Sequence, residues 1–240
     1  MTGLINVHTH ILPCVDDGAD NLDETLRMLE LEYQDGVRTI FATPHYRKGM
    51  FECFGNQITK QYELVKKEAS KRWKDLQIIL GCEFHANMDM VNLLYENSQF
   101  AIVNSRCVLT EFSELSELSF IQERCYTLLS SGYDPIIAHA ERYHALYNKF
   151  DVIEQLTDMG VYIQLNARSI MGKDGFGMKR FCKKMMKKDL LHFVGDDAHN
   201  MEDRKPAMGK CAEYIEKVMG EDYARKVLMD NPKNLIIESR

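Results

Sequence analysis

Two histidines near the start of the chain are spaced for binding a single ion. His8 and His10 follow a short apolar run that is typical of a buried strand. Residues two apart in an extended segment point the same way, so both imidazoles can be directed at one point where the strand gives way to a loop. Two neutral imidazole nitrogens beside carboxylates form the start of a transition-metal site, although a pair of structural histidines would show the same spacing.

Seven more metal-capable side chains recur where later strand-like segments end, or in the loops that follow. In a parallel barrel the carboxyl ends of all strands lie on one face, and active sites are built there. Each residue alone has an ordinary structural explanation, but their common position predicts one metal site built from the whole set. These seven residues are Asp17, His45, Glu83, Glu111, His139, Asp197 and His199.

The number and type of these side chains indicate more than one ion. Five histidines and four carboxylates exceed what one tetrahedral ion needs, and they suit two or three ions with bridging carboxylates. Imidazole and carboxylate donors without thiolate favour Mn²⁺, Fe²⁺ or Zn²⁺ over Mg²⁺ or Ca²⁺. Clustered ions of this kind usually clamp a phosphoryl group during attack by water, so the sequence predicts hydrolysis of a phosphate ester.

Two arginines follow metal-capable residues into loops at the same face. Arg142 comes three residues after His139, and Arg204 comes five residues after His199. Either guanidinium could form a bidentate fork to a phosphate, although surface arginines would look the same in sequence. The chain contains no Cys-x₅-Arg phosphatase loop. We therefore expect water, rather than cysteine, to be the nucleophile.

The elements that must position these residues alternate between strand and helix. Seven apolar segments are each followed by a helical pattern, which indicates a parallel sheet with helices outside. Seven units fit a single domain over residues 1–240, a closed or nearly closed α/β barrel, and a doubly wound open sheet is the competing layout. After the run at residues 4–7, the predicted strands are 37–42, 76–80, 107–110, 135–138, 161–165 and 191–194, and the predicted helices are 21–35, 56–73, 88–98, 118–130, 150–159, 176–188, 205–219 and 222–229.

Bulk composition argues against several other classes of protein. The formal net charge of −6 disfavours a nucleic-acid binder, whose surface is usually basic. Seven cysteines without a CxxC pair indicate reduced, mostly buried thiols, which are typical of cytoplasmic proteins. The first residues lack the basic and apolar regions of a leader, and no apolar run approaches a membrane span. We therefore expect a cytoplasmic protein that neither enters a membrane nor binds nucleic acid.

Taken together, the residues singled out above resemble the PHP (polymerase and histidinol phosphatase) superfamily. The resemblance is closer to the bacterial PHP-type protein-tyrosine phosphatases of capsule and exopolysaccharide loci, the CpsB/YwqE group. Asp17 and Glu111 separate this group from PHP relatives that tend to carry histidine there, which favours a tyrosine phosphatase over a histidinol phosphatase. The matching stretches are collinear over nearly the whole chain: NVHTHILPCVDDGAD (6–20), FATPHYRKGMF (41–51), LGCEFHAN (80–87), VLTEFSE (108–114), IIAHAERY (136–143) and VGDDAHN (194–200).

The resemblance implies a distorted, TIM-barrel-like (β/α)₇ barrel with a trinuclear, manganese-preferring site at the carboxyl ends of its strands. It implies phosphate contacts by Arg142 and Arg204. It also implies that the substrate is the phosphotyrosine-bearing tail of a bacterial tyrosine kinase that controls polysaccharide export, and it leaves the oligomeric state open. By the same resemblance, one ion would be held by His8, His10, Glu83 and Asp197, a second by Glu83, Glu111 and His139, and a third by Asp17, His45 and His199.

Three other functions stay open at this point. They are a small-molecule phosphatase of the histidinol-phosphatase type, a metal-stabilised regulator that binds a kinase without turnover, and a PHP exonuclease. Residues 46–54 form an aromatic and basic loop that could stack on a phosphotyrosine ring or contact a partner. The basic helix around residues 179–188 could steer an anionic peptide or simply present a solvated face.

Overall fold

The computed structural model describes residues 1–103 and 105–237 of the chain. Strands and helices alternate along it, as the spacing of apolar residues predicts. The strands within the described residues are β1 (Leu4–Thr9), β2 (Val37–Ala42), β3 (His45–Tyr46), β4 (Gln77–Leu80), β5 (Glu83–His85), β6 (Cys107–Glu111), β7 (Asp134–Ile137), β8 (Tyr162–Asn166) and β9 (Phe193–Gly195). The α-helices are α1 (Leu22–Gln34), α2 (Asn56–Arg72), α3 (Met90–Glu96), α4 (Leu118–Ser130), α5 (Phe150–Asp158), α6 (Ala167–Met171), α7 (Phe176–Lys187), α8 (Met208–Met219), α9 (Glu221–Arg225) and α10 (Asn231–Ile237).

Two of the seven predicted strands are interrupted, which accounts for the larger number of short strands. A Thr-Pro dipeptide separates β2 from β3, and a Gly-Cys dipeptide separates β4 from β5. Hydrogen bonds continue across both interruptions, since Gly81 N donates to Ala42 O and Glu83 N donates to Pro44 O. The parallel strands run in the order β1-β2-β4 and β3-β5-β6-β7-β8-β9, so the interrupted strands join the two parts of the sheet.

The curled sheet closes onto its first strand. Asp197 N donates to His8 O at 2.9 Å, and His10 N donates to Ala198 O at 2.9 Å. Gly195 permits this approach, because a Cβ at that position would lie 2.4 Å from the Cβ of His8. The predicted distorted (β/α)₇ barrel is therefore confirmed, and the doubly wound open sheet is wrong.

Apolar side chains fill the inside of the barrel as well as the layer between the barrel and its helices. A buried cluster drawn from strands around the sheet includes Ile5, Phe41, Leu109 and Ile136, and Leu235 of α10 packs against it. A larger cluster joins strand residues to the inward faces of the helices. Burial on both faces explains why the strands are near-continuous apolar runs rather than alternating ones.

Most predicted elements are confirmed to within a few residues, with differences near the carboxyl end. Helix α8 begins at Met208 rather than at residue 205, because the residue before Pro206 is disfavoured in a helix. The sequence does not predict α6 or α10. In α10 the Asn231-Pro232 dipeptide looks like a turn, but proline is tolerated in the first turn of a helix. Among the described residues, no helix combines the length and apolarity needed to cross a membrane.

Candidate metal centre

All nine predicted metal-capable residues lie at one end of the barrel. Sequence periodicity predicts His45 and Glu83 at strand ends, whereas each begins the second half of an interrupted strand. There they are partners in the register of β3 and β5. The positions are His8 in β1, His10 and Asp17 after β1, His45 in β3, Glu83 in β5, Glu111 at the end of β6, His139 after β7, and Asp197 and His199 after β9.

The most buried group of donors consists of His8, His10, Glu83 and Asp197. The Nε2 atoms of His8 and His10 are 3.2 Å apart, and they lie 3.0 and 3.1 Å from Oε2 of Glu83. Oδ1 of Asp197 is 3.6 Å from the first nitrogen and 3.5 Å from the second. No side chain of the four is more than 3% exposed. This group matches the ligands that the family resemblance implies for the first ion.

A second group lies around the same Glu83 carboxylate. Nδ1 of His45 is 3.1 Å from Oε2 of Glu83 and 3.8 Å from Oε2 of Glu111. Nε2 of His139 approaches from the other side, 2.7 Å from Oε1 of Glu83 and 4.0 Å from Oε1 of Glu111. The resemblance implies Glu83, Glu111 and His139 for the second ion, and the geometry adds His45 to that neighbourhood.

A third group is nearer to solvent. Oδ1 of Asp17 lies 3.5 Å from Nε2 of His45 and 3.5 Å from Nε2 of His199. His10 belongs to this group as well, because its ring stacks close to that of His199 with centroids 3.8 Å apart. The Asp17 side chain is half exposed, whereas His199 is buried.

The donor set fits divalent metal ions. Ions with bonds of about 2.1 Å in tetrahedral geometry hold neighbouring ligand atoms about 3.4 Å apart, close to the spacings in the first group. Several buried polar atoms lack a hydrogen-bond partner within the described residues, including Glu83 Oε2, His45 Nδ1 and His199 Nε2. Buried lone pairs without partners are costly, and cations facing them would satisfy all three. Imidazole and carboxylate donors without a cysteine in any group suit Mn²⁺, Fe²⁺ or Zn²⁺.

Asp16 is a site residue that the sequence analysis missed. Its Oδ2 lies 2.7 Å from Nδ1 of His10 and accepts a hydrogen bond from His45 N at 2.9 Å. Its Oδ1 accepts from Gly18 N at 3.0 Å. Gly18 must be small, because a Cβ there would lie 2.2 Å from the carbonyl oxygen of His10. The Asp-Asp-Gly motif was the available signal, but only its second aspartate was predicted to take part.

Two amides of β8 form a second set of supports that the sequence analysis missed. Oε1 of Gln164 lies 3.2 Å from Nδ1 of His8 and accepts from His139 N at 2.8 Å. Nε2 of Gln164 donates to Oδ1 of Asn166, whose Nδ2 donates to Oδ2 of Asp197 at 2.9 Å. The signal in the sequence was two polar residues, two positions apart, in an otherwise apolar strand. Strand β8 carries no metal-capable residue of its own, but its two amides contact three of them: His8 of β1, His139 after β7 and Asp197 after β9.

Two of the metal-capable residues have left-handed backbone conformations. The φ angle is +32° at His139 and +55° at Asp197. Such angles are uncommon for residues other than glycine and persist where surrounding contacts over-determine them. Here His139 N donates a hydrogen bond to Oε1 of Gln164, and Nδ2 of Asn166 donates one to Oδ2 of Asp197, so these contacts hold the two strained residues with their side chains in the site.

The two predicted arginines meet at one carboxylate. Nη2 of Arg142 lies 3.0 Å from Oδ2 of Asp197, and Nη2 of Arg204 donates to Oδ1 of the same residue at 3.0 Å. Each guanidinium side chain is about one-third exposed. Both line a cavity of about 240 Å³ above the donors, which Met50 and Phe51 of the aromatic loop also line. The cavity therefore combines metal-capable donors, two cations and an apolar wall.

Electrostatics hold some of the buried groups in the forms that bind metal and others in the opposite form. Burial opposes ionisation of Glu83, but the charge of His8 holds the pKa of its carboxyl well below the usual range. Burial likewise opposes ionisation of Asp197, and the charge of His8 holds its pKa well below normal. Burial lowers the pKa of His45 to about 4, which keeps its imidazole neutral. Burial and the charge of Glu83 raise the pKa of Glu111 to about 8.

Burial opposes protonation of His8 and His10, but the charges of Glu83 and Asp16 raise the pKa values of these two imidazoles. Ionised carboxylates and neutral imidazoles are the forms that bind metal, so metal binding would displace protons from Glu111, His8 and His10.

The fold and the site together define a class of protein. A closed β/α barrel that gathers histidines and carboxylates at the carboxyl ends of its strands, beneath two arginines, is a barrel of the PHP type. The chain belongs to the capsular polysaccharide synthesis family CpsB/CapC, whose model matches residues 4–237. The predicted resemblance to this group is therefore confirmed.

Relatives within the family are named as tyrosine phosphatases. The chain is 35% identical over 240 residues to the tyrosine-protein phosphatase CpsB of Streptococcus pneumoniae, covering 98% of this chain and 99% of that protein. It is 34% identical over 238 residues to CpsB of Streptococcus agalactiae serotype V, covering 97% and 98%. A solved structure from work on YwqE of Bacillus subtilis and CpsB of S. pneumoniae, described as metal-dependent tyrosine phosphatases, superimposes with a TM-score of 0.90 at 26% identity, covering 98% of this chain and 95% of that one.

Proposed function

We propose that this chain is a metal-dependent protein-tyrosine phosphatase, with residues 1–240 acting as a single PHP-type domain. The observation that supports this most directly is the convergence of three donor groups, two of which share Glu83, beneath Arg142 and Arg204. The names of its relatives within the CpsB/CapC family support the same activity.

The proposed cofactor is Mn²⁺, with up to three ions, and Fe or Zn would also suit the donors. One ion would be held by His8, His10, Glu83 and Asp197, a second by Glu83, Glu111 and His139, and a third by Asp17, His45 and His199. When bound, such ions withdraw charge from the phosphoryl oxygens and lower the pKa of a water molecule that attacks phosphorus. The complete proposed set is His8, His10, Asp17, His45, Glu83, Glu111, His139, Asp197 and His199.

Arg142 and Arg204 are the proposed phosphate-binding residues. Their guanidinium groups flank Asp197 and line the cavity, so their remaining N–H groups can donate to nonbridging phosphoryl oxygens. Charge builds up on these oxygens and on the leaving group as the P–O bond breaks, and fixed donors stabilise it. A phenolate is a fairly good leaving group, so phosphotyrosine needs no strong general acid among the lining residues.

The apolar wall of the cavity is the proposed contact for the tyrosine ring. Phe51 stacks on His45 with ring centroids 5.3 Å apart and an interplanar angle of 12°. Met50 lines the same cavity and is 61% exposed. A ligand ring inserted there would cover apolar surface of both side chains. This wall distinguishes an aryl phosphate from a phosphate ester without a ring.

The proposed protein substrate is the phosphotyrosine-bearing tail of a bacterial tyrosine kinase that controls capsular or exopolysaccharide synthesis. The family description supports the connection to capsular polysaccharide synthesis. A tail of this kind would present its phosphotyrosine on a flexible segment. The phosphotyrosine side chain could then enter the cavity between the two arginines and the apolar wall.

Chelation and substrate comparison test the proposal together. Removing metal with a chelator is expected to abolish hydrolysis of a phosphotyrosine peptide, and Mn²⁺ is expected to restore it. Alkylating the free thiols should leave activity intact, because no cysteine belongs to the donor groups. An enzyme that resists the chelator but loses activity on alkylation would overturn the mechanism. Faster turnover of histidinol phosphate than of the peptide would instead favour the small-molecule phosphatase, and a metal-loaded protein inert to both would favour the regulator.

A further inference from the structure

Three concave regions follow one another on the face that carries the metal-capable residues. The metal cavity shares Arg142 with a second cavity of about 300 Å³, lined also by Glu141 and His144. The second cavity shares Tyr147 with a third of about 530 Å³, which reaches helix α7. We call the second and third cavities together the lateral groove. It leads away from the proposed phosphate-binding arginines without a break in the lining residues.

The far end of the lateral groove is basic and aromatic. Arg180 and Lys184 of α7 line it one helical turn apart. Among the described residues neither side chain forms an ion pair with a carboxylate, although the Lys184 ammonium lies 5.5 Å from the centroid of the Phe150 ring. Phe176 at the start of α7 lines the same cavity and is 80% exposed. Two free cations beside exposed aromatic surface fit an anionic, partly apolar ligand.

The near end of the lateral groove presents two carboxyl groups next to Arg142. Glu141 is buried there, with Oε1 accepting a hydrogen bond from Asn166 N at 3.0 Å. Its Oε2 is buried and has no hydrogen-bond partner within the described part of the chain. Glu114 lines the same cavity and is exposed to solvent. The exposed carboxylate of Glu114 repels an acidic side chain placed next to the phosphotyrosine, whereas Arg180 and Lys184 attract one placed further along.

We propose that the lateral groove binds the polypeptide that flanks the phosphotyrosine, and that it selects an acidic residue several positions away over the same residue next to the phosphotyrosine. This inference rests on the proposed tyrosine phosphatase function. The occupant is an extended peptide, because the groove is continuous with the metal cavity through Arg142 and leads past the exposed Glu114 to the exposed Arg180 and Lys184.

A set of isomeric peptides tests the selection by position. Each peptide carries one phosphotyrosine in an otherwise neutral sequence and a single glutamate, which is moved outward on either side to about six residues away, a reach of about 20 Å when extended. We expect kcat/KM with the Mn²⁺-loaded enzyme to be about fivefold higher for a distant glutamate on one side than for an adjacent one. The peptides have equal net charge, so long-range steering alone would treat them alike.

Charge reversal on α7 tests whether the groove is responsible. With Arg180→Glu or Lys184→Glu, the ratio of kcat/KM for the preferred peptide to that for a neutral phosphotyrosine peptide is expected to fall about tenfold. The matched controls are Lys183→Glu and Lys187→Glu, which change charge by the same amount on exposed positions of the same helix that do not line the groove. These controls should leave the ratio near that of the unmodified protein.

The outcomes separate this inference from the proposed function. An equal fall in the kcat/KM ratio in the groove variants and the controls would show general electrostatic attraction, and would overturn the groove as the binding site. A kcat/KM that does not change with the position of the glutamate would also overturn the groove as the binding site. Failure of the unmodified, Mn²⁺-loaded enzyme to hydrolyse even the neutral phosphotyrosine peptide would instead contradict the proposed function. Turnover of the neutral peptide by each variant reports that the variant is folded.

Discussion

Asp16 orients the imidazole of His10. Oδ2 of Asp16 lies 2.7 Å from Nδ1 of His10, and both side chains are fully buried. Although burial opposes ionisation of Asp16, the charge of His10 holds the pKa of this carboxyl below its usual value. The ionised carboxylate can only accept, so Nδ1 of His10 donates, and Nε2 is left to face Glu83 and Asp197. Metal-binding histidines commonly donate their second ring N–H to a carboxylate in this way.

Replacing Asp16 is therefore expected to weaken metal binding. In Asp16→Asn the amide can present its N–H₂ group to His10, and the imidazole loses its fixed tautomer. We expect the affinity of the metal-free protein for Mn²⁺, measured by calorimetry, to fall about 10- to 100-fold. The control is Asp20→Asn, an exposed aspartate of the same loop. Unchanged affinity in Asp16→Asn would show that packing alone orients His10.

Arg142→Lys should reduce turnover while the metal content holds. Lysine keeps the positive charge beside Asp197 but replaces the planar fork with a single ammonium group. We expect kcat/KM for a phosphotyrosine peptide to fall about 100-fold. Arg106→Lys is the matched control, because Arg106 is exposed and pairs with Asp134 instead. If Mn²⁺ content fell in proportion to activity, Arg142 would be acting by holding Asp197 rather than phosphate.

Met50→Ser tests the apolar wall of the metal cavity. The substitution removes an exposed thioether that lines the cavity and belongs to none of the donor groups. Because the lost contact is with the substrate ring, KM for the phosphotyrosine peptide is expected to rise about fivefold. Inhibition by inorganic phosphate, which has no ring, should stay unchanged. The control Met88→Ser alters a methionine of similar exposure that does not line the cavity. An equal rise in KM in both variants would contradict the assignment of Met50 to the ring-binding wall.

His192 is expected to make stability depend on pH in the acid range. Burial and the charge of Lys226 lower its pKa to about 4, and its Nδ1 accepts a hydrogen bond from Ile163 N at 3.1 Å. The unfolded chain binds the proton near pH 6.5, so this contribution to stability is present above that pH and is lost as pH falls towards 4. At about 1.4 kcal/mol per pH unit the loss reaches about 3 kcal/mol.

Urea unfolding of the metal-free protein between pH 7 and pH 4 measures this effect. His192→Asn keeps a hydrogen-bond acceptor near the position of Nδ1 but cannot be protonated, so its stability should fall less steeply with acid. The same slope in the variant and the unmodified protein would assign the acid sensitivity to other groups.

The barrel and its metal-bearing face were predictable from sequence because strand and helix periods are local. Apolar runs such as residues 37–42 and 107–110, each followed by a helical pattern, needed no tertiary information to indicate a parallel barrel. The prediction that His8, His10 and the later residues share one face followed from the parallel direction of the strands. Their convergence required only that every strand run the same way.

The partners within the site could not be predicted in the same way. Asp16 is the same residue type as its neighbour Asp17, and nothing local shows which one turns inward towards His10. Gln164 has the appearance of an ordinary polar interruption of a buried strand. Only the pairing of β8 with β7 brings its amide to the amide nitrogen of His139, and only the closure of the barrel brings it to His8 of β1. Hydrogen bonds of this kind join residues that are distant along the chain, so no periodicity records them.

The sequence by itself determined the kinds of donor, the strand ends that carry them and the family, because these depend on residue type and local spacing. Tertiary structure decided which donors share an ion-sized space. The interruption of two strands sets His45 beside Glu83, and the closure of β9 onto β1 brings Asp197 to His8. Arg142 and Arg204, far apart in sequence, reach the same aspartate only in the closed barrel. The distances between these side chains depend on how the barrel closes, and neither composition nor the spacing of residues along the chain carries information about that closure.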